Sequence, residues 1–444
     1  MKRLFCMILS GLMLFGVACT VTPASPEPVT PPTDAPTDVP GDVEEPTAAP
    51  TDTPADVEAP TAAPIDMPVE PIYTSYADFA NALSAKLIDG SSNRNLSPIS
   101  VYLALAMATD GANGQTLNEL LSVLGCRTLE ELRGVCGAML EALSIDEDGS
   151  TLDLHDSLWM ANEIEGQPVT FRDSYLSSLA DVYRSEANTV EFGTTSASEQ
   201  IAAWITEHTR GKIEISPDAL NFDASTVAVL INTIYLKDAW AESFNEESIK
   251  PDLFHGLGRD FTVDYLCRRD HNVRITKGDG FLRYQLYLRN VGSMVFVLPD
   301  EGTPLSDLLG SPEKIDALLH GGETINADVD VMLPKFKFQD KMELAGILAA
   351  MGLDTAFSGG ADFSGICDRS CRFDRVIQES YIGVDENGVE AAAYTMISMR
   401  TTSILTQQLP LMEFHLTRPF LYAIESYDGT LLFIGTVTEP TSAD

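Results

Sequence analysis

The run 226-TVAVLINTIYL-236 constrains this chain more than any other stretch. It is β-branched and apolar at odd and even positions alike, so as a strand it has to be covered on both faces. That demands a sheet buried between two layers. Helices to cover it lie mostly upstream. In 97-SPISVYLALAMATDGA-112, Ser97-Pro98 is a helix start, and the residues after it are apolar nearly all round, which predicts a buried helix. The segments 76-YADFANALSAKLI-88, 128-TLEELRGVCGAMLEAL-143 and 196-SASEQIAAWITEHTRGKI-213 have apolar residues at helical spacing, the last closed by Gly211. Strand-like runs dominate later, at 293-SMVFVLP-299, 328-DVDVMLPKFKF-338, 375-RVIQESYIGVDE-386, 420-FLYAIES-426 and 431-LLFIGTV-437. Helices early and strands late predict an α+β fold, with helices packed on large, mostly antiparallel β-sheets. Composition does not break between residues 73 and 440, so this span reads as one domain with a short tail at 441–444.

The N-terminus is written differently. Lys2 and Arg3 precede a short apolar run and then small residues before Cys19. The run is too short and wrongly flanked for a stable membrane span, and residues 1–18 read as an export signal. Val17-Ala18-Cys19 resembles the end of a lipobox, although Gly16 stands where an apolar residue is usual. The expectation is a lipidated Cys19 anchoring the protein at a cell membrane or surface; simple cleavage and secretion is the alternative. Residues 19–72 form a stalk of Pro, Thr, Ala and acidic residues, with PTAAP at 46–50 and again at 60–64. Such a segment buries too little apolar surface to offset its ordering entropy.

A formal net charge of −38 argues against a nucleic-acid partner, because a phosphate backbone would be repelled. If Cys6 leaves with the signal and Cys19 is lipidated, Cys126, Cys136, Cys267, Cys367 and Cys371 remain. An odd number gives no complete disulfide framework. The spacing 367-CDRSC-371 lacks a partner pair and a nearby His, so buried or idle thiols are the reading, with no metal site.

The sequence contains no HExxH, GxSxG, Walker or dinucleotide motif. His208 lies near a helix end, and His271 and His415 sit without a nucleophile pattern around them. No catalytic residue and no cofactor are indicated, and the chain does not read as an enzyme. The informative stretch is 384-VDENGVEAAAYTMISMRTTS-403, written for an interior and yet flanked by polar corners. Laid out as a strand over 389–399, one face carries Val389, Ala391, Ala393, Thr395, Ile397 and Met399, all uncharged. The other carries Glu390, Ala392, Tyr394, Met396 and Ser398, and tolerates water.

Here the chain resembles the serpin family, along nearly all of residues 73–440. The stretch 386-ENGVEAAAYT-395 is similar to the serpin hinge, with Val389 where Thr is usual and Tyr394 in place of a small residue. The stretches 95-NLSPISVYLALAMATDGANGQTLNEL-120, 229-VLINTIYLKDAWAESF-244, 333-LPKFKF-338, 348-LAAMGLDTAFSGGADFSGI-366 and 418-RPFLYAIE-425 resemble further family signatures, in family order.

The resemblance implies a serpin-like fold with an exposed reactive-centre loop, here 386–409. It also implies a serine-type endopeptidase inhibitor that acts as a suicide substrate. A target serine protease, with cysteine proteases as a second class, cleaves the loop and forms a covalent acyl-enzyme. The cleaved loop then inserts as a new strand of the main sheet and traps the protease. A monomer is implied, touching a membrane only through its anchor. The alternative is a non-inhibitory serpin-fold binding or interaction protein at the cell surface. The hinge residues carried over are Glu386, Gly388, Val389, Glu390, Ala391, Ala392, Ala393 and Thr395. The reactive bond falls between Thr402 and Ser403 by the family's usual distance from Glu386, with Arg400 and Leu405 as alternatives. A Thr there suits an elastase-like or broad-specificity protease and an Arg a trypsin-like one. Ser97, Ser100, Asn232 and Gln378 match a polar cluster beneath the point where the sheet opens, Gln378 replacing a usual His. Trp240 matches the aromatic above it, and Lys335 with Glu386 matches a bridging surface pair.

Overall fold

A computed structural model describes residues 8–18, 75–220, 222–388 and 409–440. Two large sheets and the helices around them account for most of these residues, which is the α+β arrangement expected. The seven-stranded main sheet is ordered Phe336–Glu343, Arg372–Val384, Ile8–Ala18, Thr226–Lys237, Ser150–Ala161 and Ile145–Glu147, with Glu186–Val190 pairing alongside Ser150–Ala161. All its ladders are antiparallel except the one between Glu186–Val190 and Ser150–Ala161. The second sheet has nine strands and includes Asp260–Lys277, Gly292–Pro299, Phe420–Ser426 and Leu431–Val437.

The strand Thr226–Lys237 meets the requirement its sequence imposes. Every residue from Thr226 to Leu236 is buried, so both faces are covered. One cover is the helix Pro98–Thr109, whose twelve residues are all buried. Its entry fits the sequence: Ser97 is extended (φ −108°, ψ 96°) and Pro98 occupies the first turn, where no amide donor is needed. Ser97 does not cap the helix with its side chain; its hydroxyl instead meets the Ser100 hydroxyl at 3.1 Å.

The N-terminal segment is where the structure departs most from expectation. Residues 8–18, read as part of an export signal, form the central strand of the main sheet, between Arg372–Val384 and Thr226–Lys237. The segment is uncharged and offers a full set of ladder donors and acceptors. A gap between two apolar strands satisfies both demands. Among the described residues no helix is long and apolar enough to cross a membrane.

Candidate functional site: the hinge and the sheet opening beneath it

One row of residues crosses the centre of the main sheet. Asp156, Asn232, Met13, Gln378 and Met342 stand in register on five neighbouring strands, and all five are buried. Gln378 faces the start of helix Pro98–Thr109. Its Oε1 accepts from the Ser97 amide at 3.0 Å and its Nε2 donates to the Ser97 carbonyl at 2.9 Å. Ser97, Ser100 and Gln378 therefore form the expected cluster.

Asn232 does not join them, because Met13 stands between it and Gln378. Its Nδ2 donates instead to Asp156 Oδ1 at 2.9 Å. Burial pushes the Asp156 carboxyl up to about 7, with the Asn232 hydrogen bond pulling the other way. The other oxygen of Asp156 and the Asn232 carbonyl oxygen have no partner. A protonated Asp156 carries a donor in this buried row, where an ionised one would offer only acceptors. Sequence reading missed Asp156, since one acid among sixty-six Asp and Glu carries no signal. Its place in register with Asn232 emerges only once the strands are paired.

The hinge begins where the strand Arg372–Val384 ends. Asp385, Glu386, Asn387 and Gly388 make a turn against the segment leaving the top of Thr226–Lys237. Trp240, 1 % exposed, donates its indole N–H to the Asp385 carbonyl at 2.9 Å. The Phe244 amide donates to the Glu386 carbonyl at 3.3 Å, and the Trp240 and Phe244 rings meet edge to face. Gly388 has φ +66°, and a Cβ there would lie 2.2 Å from the Trp240 nitrogen, so the turn admits only glycine.

Lys335 Nζ lies 2.6 Å from Glu386 Oε2, with side chains 17 % and 16 % exposed. The expected pair is present, and it is more buried than the surface bridge anticipated. Asp385 is buried beside it. Burial raises its carboxyl to about 7 and the Glu386 charge adds to this, while the Asn387 amide and Lys335 oppose.

The remaining carried-over positions, Val389, Glu390, Ala391, Ala392, Ala393, Thr395, Arg400, Thr402, Ser403 and Leu405, lie outside the described residues, as does Cys19. The histidines set aside earlier have local partners. His208 Nδ1 meets the Trp204 carbonyl oxygen at 2.8 Å, His271 meets Asp328 and His415 meets Asp330 at 3.0 Å each. Among the described residues no group of three or more potential metal ligands converges. Cys126, Cys136, Cys367 and Cys371 are buried, and Cys267 is half-buried.

Comparison with known proteins agrees with this geometry. The family model described as serpin (serine protease inhibitor) matches residues 74–440. A leukocyte elastase inhibitor of Xenopus laevis is 30% identical over 396 residues, covering 84% of this chain and 100% of that one. Iris of Ixodes ricinus is 30% identical over 364 residues, covering 79% and 93%. Among solved structures, the thermophilic serpin Tengpin in its native state is 25% identical with a TM-score of 0.68, covering 83% of this chain and 94% of that one. A family model that spans nearly the whole body, on this fold, leads to one conclusion: the chain belongs to the serpin family.

Proposed function

We propose that the chain inhibits serine-type endopeptidases as a suicide substrate, with cysteine proteases as a second target class. The observation that carries this reading is the hinge turn. Gly388 and Trp240 hold the start of the loop at the hinge end of the position between Thr226–Lys237 and Arg372–Val384, which Ile8–Ala18 fills in this structure. Once Ile8–Ala18 is out of that position, a chain that leaves Gly388 and folds back along Arg372–Val384 would take it as an antiparallel strand. The sequence that would enter first has an uncharged inward face from Val389 to Met399 and small residues at Ala391, Ala392 and Ala393. Small side chains pass between strands that still touch, and an inward charge would have to be desolvated.

The chemistry belongs to the protease. Its nucleophile attacks the carbonyl carbon of the reactive bond, placed after Thr402, and the Ser403 amine leaves with a proton. Water would normally release the acyl group. Insertion of the freed loop competes with that step, and added ladder hydrogen bonds and apolar burial drive it. A surface tether through Cys19 would place the trap where extracellular proteases reach it, the stalk 19–72 holding the body clear of the membrane.

The test is incubation of the mature chain with elastase-like, trypsin-like and cysteine proteases. Denaturing electrophoresis and mass spectrometry then follow. The expected result is a denaturant-resistant covalent complex with an elastase-like enzyme and release of fragment 403–444. Clean cleavage with no complex for any protease would favour the non-inhibitory reading.

A further inference from the structure

The gap that the inhibitory reading reserves for the loop is filled by the chain's own N-terminus. Ile8–Ala18 pairs with Arg372–Val384 from Ile8↔Gly383 to Ala18↔Arg372, and with Thr226–Lys237 from Ile8↔Lys237 to Ala18↔Thr226. Each ladder has a single irregularity, near its lower end, at Gly16/Val17 on one side and Val17/Ala18 on the other. Ile8 lies at the hinge end of the sheet. A segment leaving Gly388 and turning back beside Gly383 would take these same positions in this same direction. One strand position holds one strand.

The fit extends to side chains. Met13 is 0 % exposed and completes the central row between Asn232 and Gln378. On the opposite face Leu14 is buried and lines a recess with apolar residues Ile215, Leu220, Phe222 and Ile377, the charged Asp223, Lys341, Asp374 and Arg375 completing its wall. The segment ILSGLMLFGVA has no charge to desolvate, and the inward face of 389–399 has none either, Glu390 falling on the other face.

We propose that Ile8–Ala18 is an internal plug that occupies the loop's insertion position and keeps the precursor from trapping proteases. This rests on the inhibitory reading above. With the plug in place, a protease that cuts the loop completes hydrolysis and departs, since the freed loop has nowhere to go. Hydrolysis of the Ala18–Cys19 amide by a signal peptidase, with water as the co-reactant, turns the plug into a separate peptide held by pairing alone, which is lost on dilution and stays bound only when supplied in excess. A plug that is also the export signal ties arming to export. A chain that keeps its N-terminus is a substrate for proteases around it, and a processed chain is their inhibitor.

The experiment uses the full chain 1–444 and its Met13→Asp variant, which puts an unpaired carboxylate into the buried row and changes no residue of the body. Two properties are read: hydrogen exchange over 226–237 and 372–384, and the fraction of an elastase-like protease held in covalent complex. The full chain is expected to show protected amides, loop cleavage and no complex. In the variant exchange should accelerate at least about tenfold and most of the protease should be trapped. A synthetic peptide of residues 8–18 added to the variant should restore protection and abolish trapping. Gly11→Pro, which deletes a ladder donor, repeats the test independently. Equal trapping by full chain and variant, or unchanged exchange in both variants, overturns the plug. Accelerated exchange with no trapping by either variant overturns the inhibitory reading and the plug's role with it, leaving only the strand pairing.

Discussion

Gln378 grips Ser97 with both ends of its amide, accepting from the Ser97 N–H at 3.0 Å and donating to the Ser97 carbonyl at 2.9 Å. The same carbonyl also receives the Val101 amide at 3.5 Å, so one backbone unit joins the start of the buried helix to the central sheet. Gln378→Ala leaves both Ser97 groups without this partner in a fully buried place. The expected loss is about 1–3 kcal/mol of unfolding free energy, measured by urea denaturation. A loss below about 0.5 kcal/mol, the range of ordinary surface substitutions, would show that the grip carries no stability.

Asp156 gives the fold a pH dependence of known sign. Its carboxyl is raised to about 7 in the folded chain, against an ordinary value of 3.8. Between those values the folded state holds a proton that the unfolded state has released, so this group's stabilising contribution is complete below about pH 4 and is lost as pH rises to about 7. Asp385 acts in the same direction and over the same window. Asp156→Asn keeps a neutral partner for Asn232. Its unfolding free energy should fall less than that of the parent between pH 5 and pH 8. Parallel pH profiles for the two chains would contradict a shifted Asp156.

At the hinge, Gly388→Ala should be felt more than any nearby surface change. The backbone is left-handed there and the added carbon would meet the Trp240 nitrogen at 2.2 Å. The turn must rearrange, at a cost of about 1–3 kcal/mol, and the loop's entry point moves off the gap. Loop cleavage should continue while the ratio of trapped to released protease falls. An unchanged ratio would show that this turn does not set the entry point.

The Lys335–Glu386 pair is expected to couple more strongly than an exposed ion pair, because only about a sixth of each side chain is exposed. A double-mutant cycle with Lys335→Met and Glu386→Gln should return about 1 kcal/mol or more, against the 0.2–1 kcal/mol usual at a surface. A coupling near zero would make it an incidental contact.

Ala393→Glu puts a charge on the face of 389–399 that the proposed insertion would turn inward. Loop cleavage should keep its rate, while trapping falls several-fold because the carboxylate has to be desolvated during insertion. Undiminished trapping would refute the account of the hinge's composition.

Much of this was legible in the sequence because the constraints are local. Thr226–Leu236 has no polar face and had to be a doubly covered strand, and Pro98–Thr109 had no polar face as a helix. Ser97, Ser100 and Gln378 were found through the motifs around them, and Gly388 through the hinge pattern. What could not be read depends on register. The carboxyl of Asp156 is special only because Asn232 stands opposite, and Asp385 because the hinge turn buries it under Trp240. Ile8–Ala18 was read by its length and flanking lysine and arginine, which describe how a segment meets a membrane. Its complementarity to a gap between strands more than two hundred residues away is not written in the segment itself.

The most direct measurement compares a chain of residues 19–444 before and after its loop is cut, following thermal unfolding together with hydrogen exchange over 226–237 and 372–384. Entry of residues 389–399 into the sheet should raise the melting temperature by on the order of 10 °C or more and bring strong protection to both strands. A cut chain that melts where the intact chain does, with those amides exchanging as before, would contradict strand insertion.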